Sequence, residues 1–150
     1  MTPLRAGVIG VGHLGQHHAR HYATLPGVSL AGVCDASADR AKLIADRHGV
    51  QAWTNLNDLL AQVDLVSVAS PTSAHFAVAK ACLDAGKHVL VEKPIAVTSA
   101  EARELVELAA RRGCLLQVGH SERFNPIMQR MRPHIARRSE ERRVGKECRL

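Results

Sequence analysis

Six short apolar runs, separated by longer amphipathic stretches, constrain the fold of this chain more than any other feature of its sequence. They cover residues 4–10, 28–35, 51–53, 63–70, 88–93 and 115–120. Four of them are almost continuously apolar, as strands covered on both faces by helices must be. Short links between such strands and helices imply right-handed crossovers and parallel pairing. We therefore predict an α/β fold, a doubly wound parallel sheet with helices on both faces.

The amphipathic stretches begin and end with residues typical of helix termini. The predicted N-terminal caps are Ser37, Asn57, Thr72 or Ser73, and Thr98, which forms a capping box with Glu101. The predicted stops are Gly49, Gly86 and Gly113. Further along, Asn125-Pro126 predicts another helix start, which we expect Pro133 to interrupt. These signals divide the chain into the alternating elements of the predicted sheet.

The segment VIGVGHLG, residues 8–15, places Gly10, Gly12 and Gly15 in a G-x-G-x-x-G spacing between a predicted strand and a predicted helix. In that context the first glycine permits a tight turn, the second lets backbone approach a pyrophosphate, and the third allows close helix packing. The helix N-terminus then offers N–H groups and a positive dipole end to phosphates. The pattern predicts a Rossmann-type cofactor domain, with His13, through its backbone N–H, and Leu14 also in the cofactor loop.

Asp35 ends the second predicted strand, 20 residues after Gly15. A carboxylate there can accept hydrogen bonds from both ribose hydroxyls of an adenosine and would repel a 2′-phosphate. No arginine directly follows Asp35, so we favour NAD over NADP, although Arg40 is long enough to reach this position. The alternative is a glycine-rich turn that binds nothing, with Asp35 only capping a loop.

Histidines recur on the first predicted helix at His13, His17 and His21, with His18 beside them. Helical spacing of this kind can bind a metal ion. No cysteine or carboxylate joins the row, however, so we interpret it as a partly exposed polar helix face and predict no metal site.

Polar or unusual residues follow three of the predicted strands. They are Ser70, Pro71 and Thr72 after the fourth run, Glu92, Lys93 and Pro94 at the end of the fifth, and Gly119 and His120 at the end of the sixth. In an open parallel sheet, ligands bind beyond the carboxyl ends of the strands. We therefore expect these residues to face the crevice that takes the nicotinamide half of the cofactor.

Lys93 is the candidate catalytic residue of this group. An ammonium at a strand end can donate to a substrate hydroxyl and help to deprotonate it as hydride leaves. Glu92 can orient that ammonium or shape the nicotinamide pocket, and Pro94 ends the strand with a bond that we consider a candidate for the cis isomer. The alternative is a surface lysine at a strand end, followed by an ordinary proline.

Taken together, these segments resemble the Gfo/Idh/MocA oxidoreductases. The resemblance covers about residues 4–130 and rests on the glycine loop, Asp35, SPTSAH (70–75), AGKHVLVEKPIA (85–96) and QVGHSERFNP (117–126). It implies an NAD(P)-dependent enzyme that transfers hydride between nicotinamide and a sugar, nucleotide-sugar or cyclitol hydroxyl carbon. It also implies site residues. Lys93 matches the active-site lysine, Glu92 the acid near the nicotinamide, and Pro71, Thr72 and His75 the segment beside the nicotinamide ribose, where we also expect Ser70 to contact the cofactor.

The segment of residues 119–126 resembles family members that act on nucleotide sugars, such as UDP-N-acetylglucosamine 3-dehydrogenases. The family pattern also implies a homo-oligomeric full-length parent with a C-terminal α/β substrate domain that carries the catalytic histidine. His134 lacks the context of that histidine. We therefore expect an N-terminal fragment that is inactive alone. Its segments are a dinucleotide-binding domain (1–122), the start of a linker helix (123–137) and a disordered or foreign tail (138–150).

Two other functions remain open at this point. One is a non-enzymatic NAD-binding sensor or scaffold, and the other is a different Rossmann ligand, such as a nucleotide sugar or S-adenosylmethionine. Lys93-Pro94 has no obvious role in methyl transfer, which disfavours the last of these.

Charge and cysteine content limit the partners and the location. The net charge is +6, but half of it falls within residues 137–150 and no basic stripe carries aromatic residues, so we expect no nucleic-acid partner. The 4 cysteines form no CxxC pair, no apolar run is long enough for a membrane helix, and the first residues lack a secretory pattern. We therefore expect reduced thiols, no membrane partner and a cytoplasmic location.

Overall fold

The computed structural model of the chain describes residues 2–137. The described residues divide into two compact units, one that ends at Gly119 and one that begins at His120. The predicted tail, residues 138–150, and Cys148 within it lie outside the described residues.

The first unit contains six strands and five helices among its described residues. The strands are β1 (Leu4–Ile9), β2 (Val28–Cys34), β3 (Gln51–Trp53), β4 (Leu65–Val68), β5 (His88–Val91) and β6 (Leu116–Val118). The helices are α1 (Gly15–Thr24), α2 (Ala38–His48), α3 (Leu56–Leu60), α4 (Thr72–Asp84) and α5 (Ser99–Arg112). The strands pair in parallel in the order β3-β2-β1-β4-β5-β6. This arrangement confirms the predicted doubly wound, Rossmann-type α/β fold.

Adjacent residues of a strand point to opposite sides of the sheet, and helices cover both of these faces. Val8 packs with residues of α1 and α2, including Ala19 and Ile44. Its neighbour Ile9 belongs to a separate cluster that includes Leu83 of α4 and residues of α3 and α5. The near-continuous apolar character of the strands therefore reflects burial on both faces.

Five of the six strands are shorter than the predicted runs because the polar residues at several of their carboxyl ends leave the ladder and form loops. Backbone hydrogen bonds still align these ends across the sheet. The N–H groups of Gly10, Ala69, Glu92 and Gly119 donate to the carbonyls of Cys34, Ile9, Val68 and Val91 at 2.8–2.9 Å. The strand-end residues therefore lie along one edge of the sheet, on both sides of the point between β1 and β4 where the strand order reverses.

Two of the predicted side-chain caps of the first unit are present in the structure. Ser37 accepts the Arg40 N–H at 3.3 Å. Thr98 and Glu101 form the capping box, at 3.2 and 2.9 Å. The predictions of Asn57 and of Thr72 or Ser73 as caps were wrong. Asn55 caps α3 by accepting the Asn57 N–H at 2.9 Å, and α4 starts at Thr72 without a side-chain cap, directly after Pro71.

The second unit contains a 3₁₀ turn (Ser121–Phe124) and helix α6 (Pro126–Ala136). Asn125 caps α6 by accepting the Ile127 N–H at 3.0 Å, as predicted. The expected interruption at Pro133 was wrong: α6 continues past it to Ala136, and the Pro133 carbonyl accepts the Arg137 N–H at 3.2 Å.

The described cysteines are free thiols. Burial raises the pKa of Cys34 to about 11 and that of Cys82 to about 12, with smaller contributions from neighbouring groups. Over residues 2–137, none of the helices combines the length and the apolar character needed to cross a bilayer.

Candidate cofactor site

The glycine loop after β1 has the geometry that its spacing predicts. Gly10 has a φ of 82°, and a Cβ there would lie 2.6 Å from the backbone nitrogen of Ser70. A Cβ at Gly15 would overlap the carbonyl oxygen of Gly10. At Gly12, by contrast, a Cβ would meet no atom within 4 Å. Gly10 and Gly15 are therefore required by the fold, whereas the open space at Gly12 is available to a ligand.

The N-terminus of α1 is open to an anion. Leu14, which precedes the helix, supplies no side-chain cap, and the first turn contains no acidic residue. Backbone N–H groups at such an end carry partial positive charge that side chains do not neutralise. The phosphates of a dinucleotide are suitable ligands for this position.

Asp35 follows β2 and is only 6% exposed. Its Oδ2 accepts the Val11 N–H at 2.9 Å and Arg40 Nε at 3.0 Å, while its Oδ1 accepts the Ser37 N–H at 2.9 Å and Arg40 Nη2 at 3.0 Å. Burial acts to raise the pKa of Asp35, but hydrogen bonds from Arg40, Ser37 and Val11 outweigh it and leave this pKa below its ordinary value. The carboxylate therefore keeps its charge and ties the second strand end to the glycine loop.

Arg40 of α2 covers this carboxylate with a half-exposed guanidinium. The bidentate pair occupies one acceptor position on each Asp35 oxygen, and backbone N–H groups occupy another. Because a carboxylate offers about four such positions, ribose hydroxyls would have to replace Arg40 in order to bind Asp35.

A cleft of about 450 Å³ connects these features. Residues from the ends of β1, β2 and β4 line it, including Gly12, Leu14, Asp35, Arg40 and Ser70. The Ser70 hydroxyl is buried and is the one side-chain polar atom among the described residues that is buried without a hydrogen-bond partner. The open space at Gly12 and the helix end without a side-chain cap fit a phosphorylated ligand.

A second cleft of about 430 Å³ lies between α2 and β3. Its lining includes Ala41, Ala45, Val50 and Trp53, with Lys42 and Asp46 paired to each other at 3.0 Å. It contains no glycine loop, and the N-terminus of α2, whose Ala38 belongs to its lining, is already capped by the Ser37 side chain, so it is a poorer dinucleotide site than the first cleft.

Glu92, Lys93 and Pro94 follow β5, the strand next to β4. The Lys93–Pro94 peptide bond is cis, and Lys93 is exposed. Glu92 accepts the Lys93 N–H at 3.2 Å through Oε2, and a Cβ at Gly119 would lie 2.9 Å from Glu92 Oε1. The Glu92 carboxylate therefore packs directly against the end of β6.

His75 of α4 links the ends of β4 and β5. It is 1% exposed, and its Nδ1 and Nε2 each lie 2.8 Å from a carbonyl oxygen, of Pro94 and Ser70 respectively. A carbonyl oxygen only accepts, so the imidazole donates from a ring nitrogen that carries a proton, and it lies between the backbones of the two strand-end loops.

The structure brings most of the predicted site residues to the carboxyl edge of the sheet. Gly10, Gly12, Leu14, Asp35, Ser70 and Pro71 line the cleft, and Gly15 begins α1 beside it. Thr72 and His75 lie in the first turns of α4, after β4, and Glu92 and Lys93 follow β5. His13 is exposed in the loop, where its ring stacks edge-on against His17 at 5.6 Å. His120 belongs to the second unit.

Sequence reasoning missed two residues of this edge. Arg40 was considered only as a doubtful 2′-phosphate ligand, yet it forms the main side-chain pair of Asp35. His18 was grouped with the exposed histidines, yet it turns inward to Ser67 and Glu92. Residues 2–137 contain no cluster of three side chains suited to hold a metal ion.

A parallel doubly wound sheet with a glycine loop, an acidic residue after β2 and an open helix N-terminus defines a Rossmann dinucleotide-binding domain. Comparison with known proteins agrees. The Gfo/Idh/MocA family model, described as "Oxidoreductase family, NAD-binding Rossmann fold", matches residues 4–120. The chain therefore belongs to the Gfo/Idh/MocA oxidoreductase family, which confirms the resemblance seen in its sequence.

Several relatives carry this domain. The UDP-N-acetylglucosamine 3-dehydrogenase of Acidithiobacillus ferrooxidans is 45% identical over 132 residues, which are 88% of this chain and 42% of that protein. Its crystal structure superposes with a TM-score of 0.84 at 44% identity, covering 89% of this chain and 44% of that one. The inositol 2-dehydrogenase of Salmonella typhimurium is 35% identical over 128 residues, covering 81% of this chain and 38% of that protein.

A third relative was solved in complex with NADP. KijD10, a 3-ketoreductase from Actinomadura kijaniata solved in complex with TDP-benzene and NADP, superposes with a TM-score of 0.83 at 28% identity, covering 90% of this chain and 44% of that one. The chain thus spans less than half the length of the relatives that it matches.

Proposed function

We propose that this chain binds a nicotinamide dinucleotide along the carboxyl edge of its sheet, with NAD preferred over NADP. The cleft between the glycine loop and Asp35 is the observation that carries the proposal. In this arrangement the pyrophosphate lies over Gly12 at the N-terminus of α1, and Asp35 accepts the hydroxyls of the adenosine ribose. The buried charge of Asp35 favours a ribose without a 2′-phosphate.

The nicotinamide half then extends past β4 towards β5. Ser70, Pro71 and Thr72 lie at the end of β4 and the start of α4, where the buried Ser70 hydroxyl has no hydrogen-bond partner. His75 packs against this segment, with its ring nitrogens 2.8 Å from the carbonyl oxygens of Ser70 and Pro94. Glu92 and Lys93 complete the row, with Lys93 as the catalytic group.

We propose that the reaction is hydride transfer between the carbon of a substrate hydroxyl and the cofactor. The bound nicotinamide supplies the chemistry of accepting or donating the hydride. The Lys93 ammonium hydrogen-bonds to the reacting substrate oxygen and stabilises the negative charge that develops there, while the hydroxyl proton passes to a general base, the histidine that the family pattern implies in the substrate domain. In the reverse direction the ammonium donates a hydrogen bond to the substrate carbonyl oxygen, and the histidine returns the proton.

The proposed substrate class is supported by the names of the relatives, a UDP-N-acetylglucosamine 3-dehydrogenase, an inositol 2-dehydrogenase and a 3-ketoreductase. We propose a sugar or nucleotide-sugar substrate for the complete oxidoreductase, which would work as a homo-oligomer. Residues 1–122 of this chain provide its cofactor domain, and residues 123–137 begin the link to the part that binds substrate.

Calorimetric titration with NADH tests the cofactor assignment. Asp35→Asn keeps the shape of the side chain but weakens its charged hydrogen bonds, each worth about 1.5–3 kcal/mol, so we expect NADH affinity to fall about ten- to a hundredfold. Asp46→Asn, at an exposed position on α2, is the matched control and should bind as the wild type does. A folded wild-type chain that does not bind NADH would overturn the proposal.

A further inference from the structure

A chain of polar side chains runs beneath the carboxyl edge of the sheet, from α1 through β4 to the end of β5. Tyr22 Oη lies 2.7 Å from Ser67 Oγ, which lies 3.1 Å from Nδ1 of His18. Nε2 of His18 lies 3.1 Å from Oε1 of Glu92. We call these four residues, Tyr22, Ser67, His18 and Glu92, the polar chain.

The polar chain occupies space that an apolar core would otherwise fill. Ser67 is 0% exposed in the middle of β4, and the side chains of His18 and Glu92 are 17% and 13% exposed. Buried polar groups cost stability unless they are hydrogen-bonded. Here every member has a partner inside the chain, so the arrangement is complete without solvent.

The carboxylate at one end sets the direction of the first hydrogen bond. A carboxylate only accepts, so His18 donates to Glu92 from Nε2. With the ring proton on Nε2 alone, Nδ1 accepts from Ser67, and Ser67 accepts in turn from Tyr22. Burial raises the pKa of Tyr22, which keeps its phenol protonated and able to donate.

The polar chain ends at a carboxylate that is held from three directions. His18 donates to Oε1, the backbone N–H of Lys93 donates to Oε2 at 3.2 Å, and Gly119 lies so close that a Cβ there would be 2.9 Å from Oε1. Removal of the imidazole would leave Oε1 without its donor. The carboxylate would then be free to turn towards solvent, away from the Lys93 N–H.

We propose that His18 is a positioning residue, which holds Glu92, and through it the backbone at Lys93, in the place required by the nicotinamide half of the cofactor. This inference rests on the proposed function for the identity of the ligand. It assigns to a histidine of α1 a role at the end of β5, 74 residues away in the sequence.

Binding affinities for two ligands, NADH and ADP-ribose, distinguish a positioning effect from a general structural effect. NADH spans the whole proposed site, whereas ADP-ribose lacks the nicotinamide and reaches only the glycine loop and Asp35. For His18→Ala we expect NADH affinity to fall about tenfold, as for the loss of one charged hydrogen bond, while ADP-ribose affinity stays at the wild-type value. His18→Gln, whose amide can still donate to Glu92, should restore most of the NADH affinity.

His21→Ala is the control, since His21 is exposed on the same helix. If His18→Ala leaves the NADH affinity unchanged, or lowers the affinity for both ligands equally, the positioning role is wrong. A wild-type chain that binds neither ligand overturns the proposed function instead.

NMR of the free wild-type chain tests the contact without any ligand and without relying on His18→Ala to fold. We expect the His18 ring proton on Nε2, and a shift of the Glu92 side-chain carboxyl ¹³C signal in His18→Gln but not in His21→Ala. A ring proton on Nδ1 alone, or an unmoved Glu92 signal, would overturn the inference.

Discussion

At the residue scale, two glycines of one loop have different physical roles. Gly15 is required by packing, because a Cβ there would overlap the Gly10 carbonyl oxygen. Gly12 faces space that is free of protein atoms within 4 Å. The same substitution should therefore affect folding at one position and ligand binding at the other.

We predict that Gly12→Ala folds with nearly wild-type stability but binds NADH at least tenfold more weakly, because its methyl group would occupy the pyrophosphate position. Gly15→Ala should lower the free energy of unfolding by about 1–3 kcal/mol, as overpacking typically does. Urea denaturation and NADH titration of both variants check this pair of results. Wild-type NADH affinity in Gly12→Ala would contradict the placement of the phosphates.

The Asp35–Arg40 pair leads to a prediction about cofactor preference. Wild-type chain should bind NAD more tightly than NADP. Arg40→Ala removes the group that competes with ribose for Asp35 and that could pair with a 2′-phosphate, so we expect NAD affinity to be retained or increased and NADP affinity to fall about tenfold or more. Competition titrations against NADH measure both. A larger loss for NAD than for NADP would show that Arg40 serves the cofactor in another way.

Sequence predicted the residues whose roles depend on local spacing. The glycine loop and Asp35 were found because each directly follows a strand, and the carboxyl ends of parallel strands meet at one edge. The inward turn of His18 was missed because its partners, Ser67 and Glu92, are 49 and 74 residues away. Only the assembled sheet brings those positions together.

At the element scale, some helix ends were predicted correctly and others were not. The capping box at Thr98 is a contact over three residues and was predicted correctly. The cap of α3 was assigned two residues too late, because Asn55 and Asn57 carry the same side chain and only the backbone conformation distinguishes them. Strand lengths were overestimated since the apolar pattern continues into the strand-end loops.

The capping box gives a prediction for α5. Thr98→Ala removes the acceptor of the Glu101 N–H, and we expect the free energy of unfolding to fall by about 1 kcal/mol. Urea denaturation should show a lower midpoint with an unchanged m-value. Thr98→Ser, which keeps the hydroxyl acceptor, is the control and should stay close to the wild type.

An ion pair connects the start of β1 with the residue that precedes β4. The Arg5 side chain hydrogen-bonds to Asp64 at 2.7 and 3.2 Å, and this contact, with the Arg5 backbone N–H, lowers the pKa of Asp64 from 3.8 to about 2. A carboxyl group whose pKa is lower in the folded state stabilises the fold above its unfolded pKa and loses that effect as the pH falls through its folded pKa.

The contribution of Asp64 should therefore be complete above about pH 4 and decline between about pH 4 and 2. We predict that Asp64→Asn reduces the dependence of stability on pH over that range. Urea denaturation of both chains in steps from pH 5 to 2 measures it. Parallel curves for the two chains would contradict the assignment.

At the scale of the whole molecule, fold class and family were predictable because both depend on patterns that recur along the chain. Six apolar runs with helical links specify the sheet, and the family pattern specifies its ligand class. The sequence could not show how the strand-end loops are held in place. His75 does this by contacts to the carbonyls of Ser70 and Pro94, and its burial follows from the packing of α4 against the sheet.

The central claim is that a dinucleotide lies along the carboxyl edge of the sheet, from the glycine loop to Lys93. Titration of ¹⁵N-labelled chain with NADH, followed by NMR, tests it most directly. We expect chemical-shift changes at the backbone amides of Gly12, Asp35, Ser70 and Lys93. The amides of Asp64 and Lys87, which precede β4 and β5 at the opposite edge of the sheet, should change little. Shifts confined to that opposite edge, or no shifts in a folded chain, would contradict it.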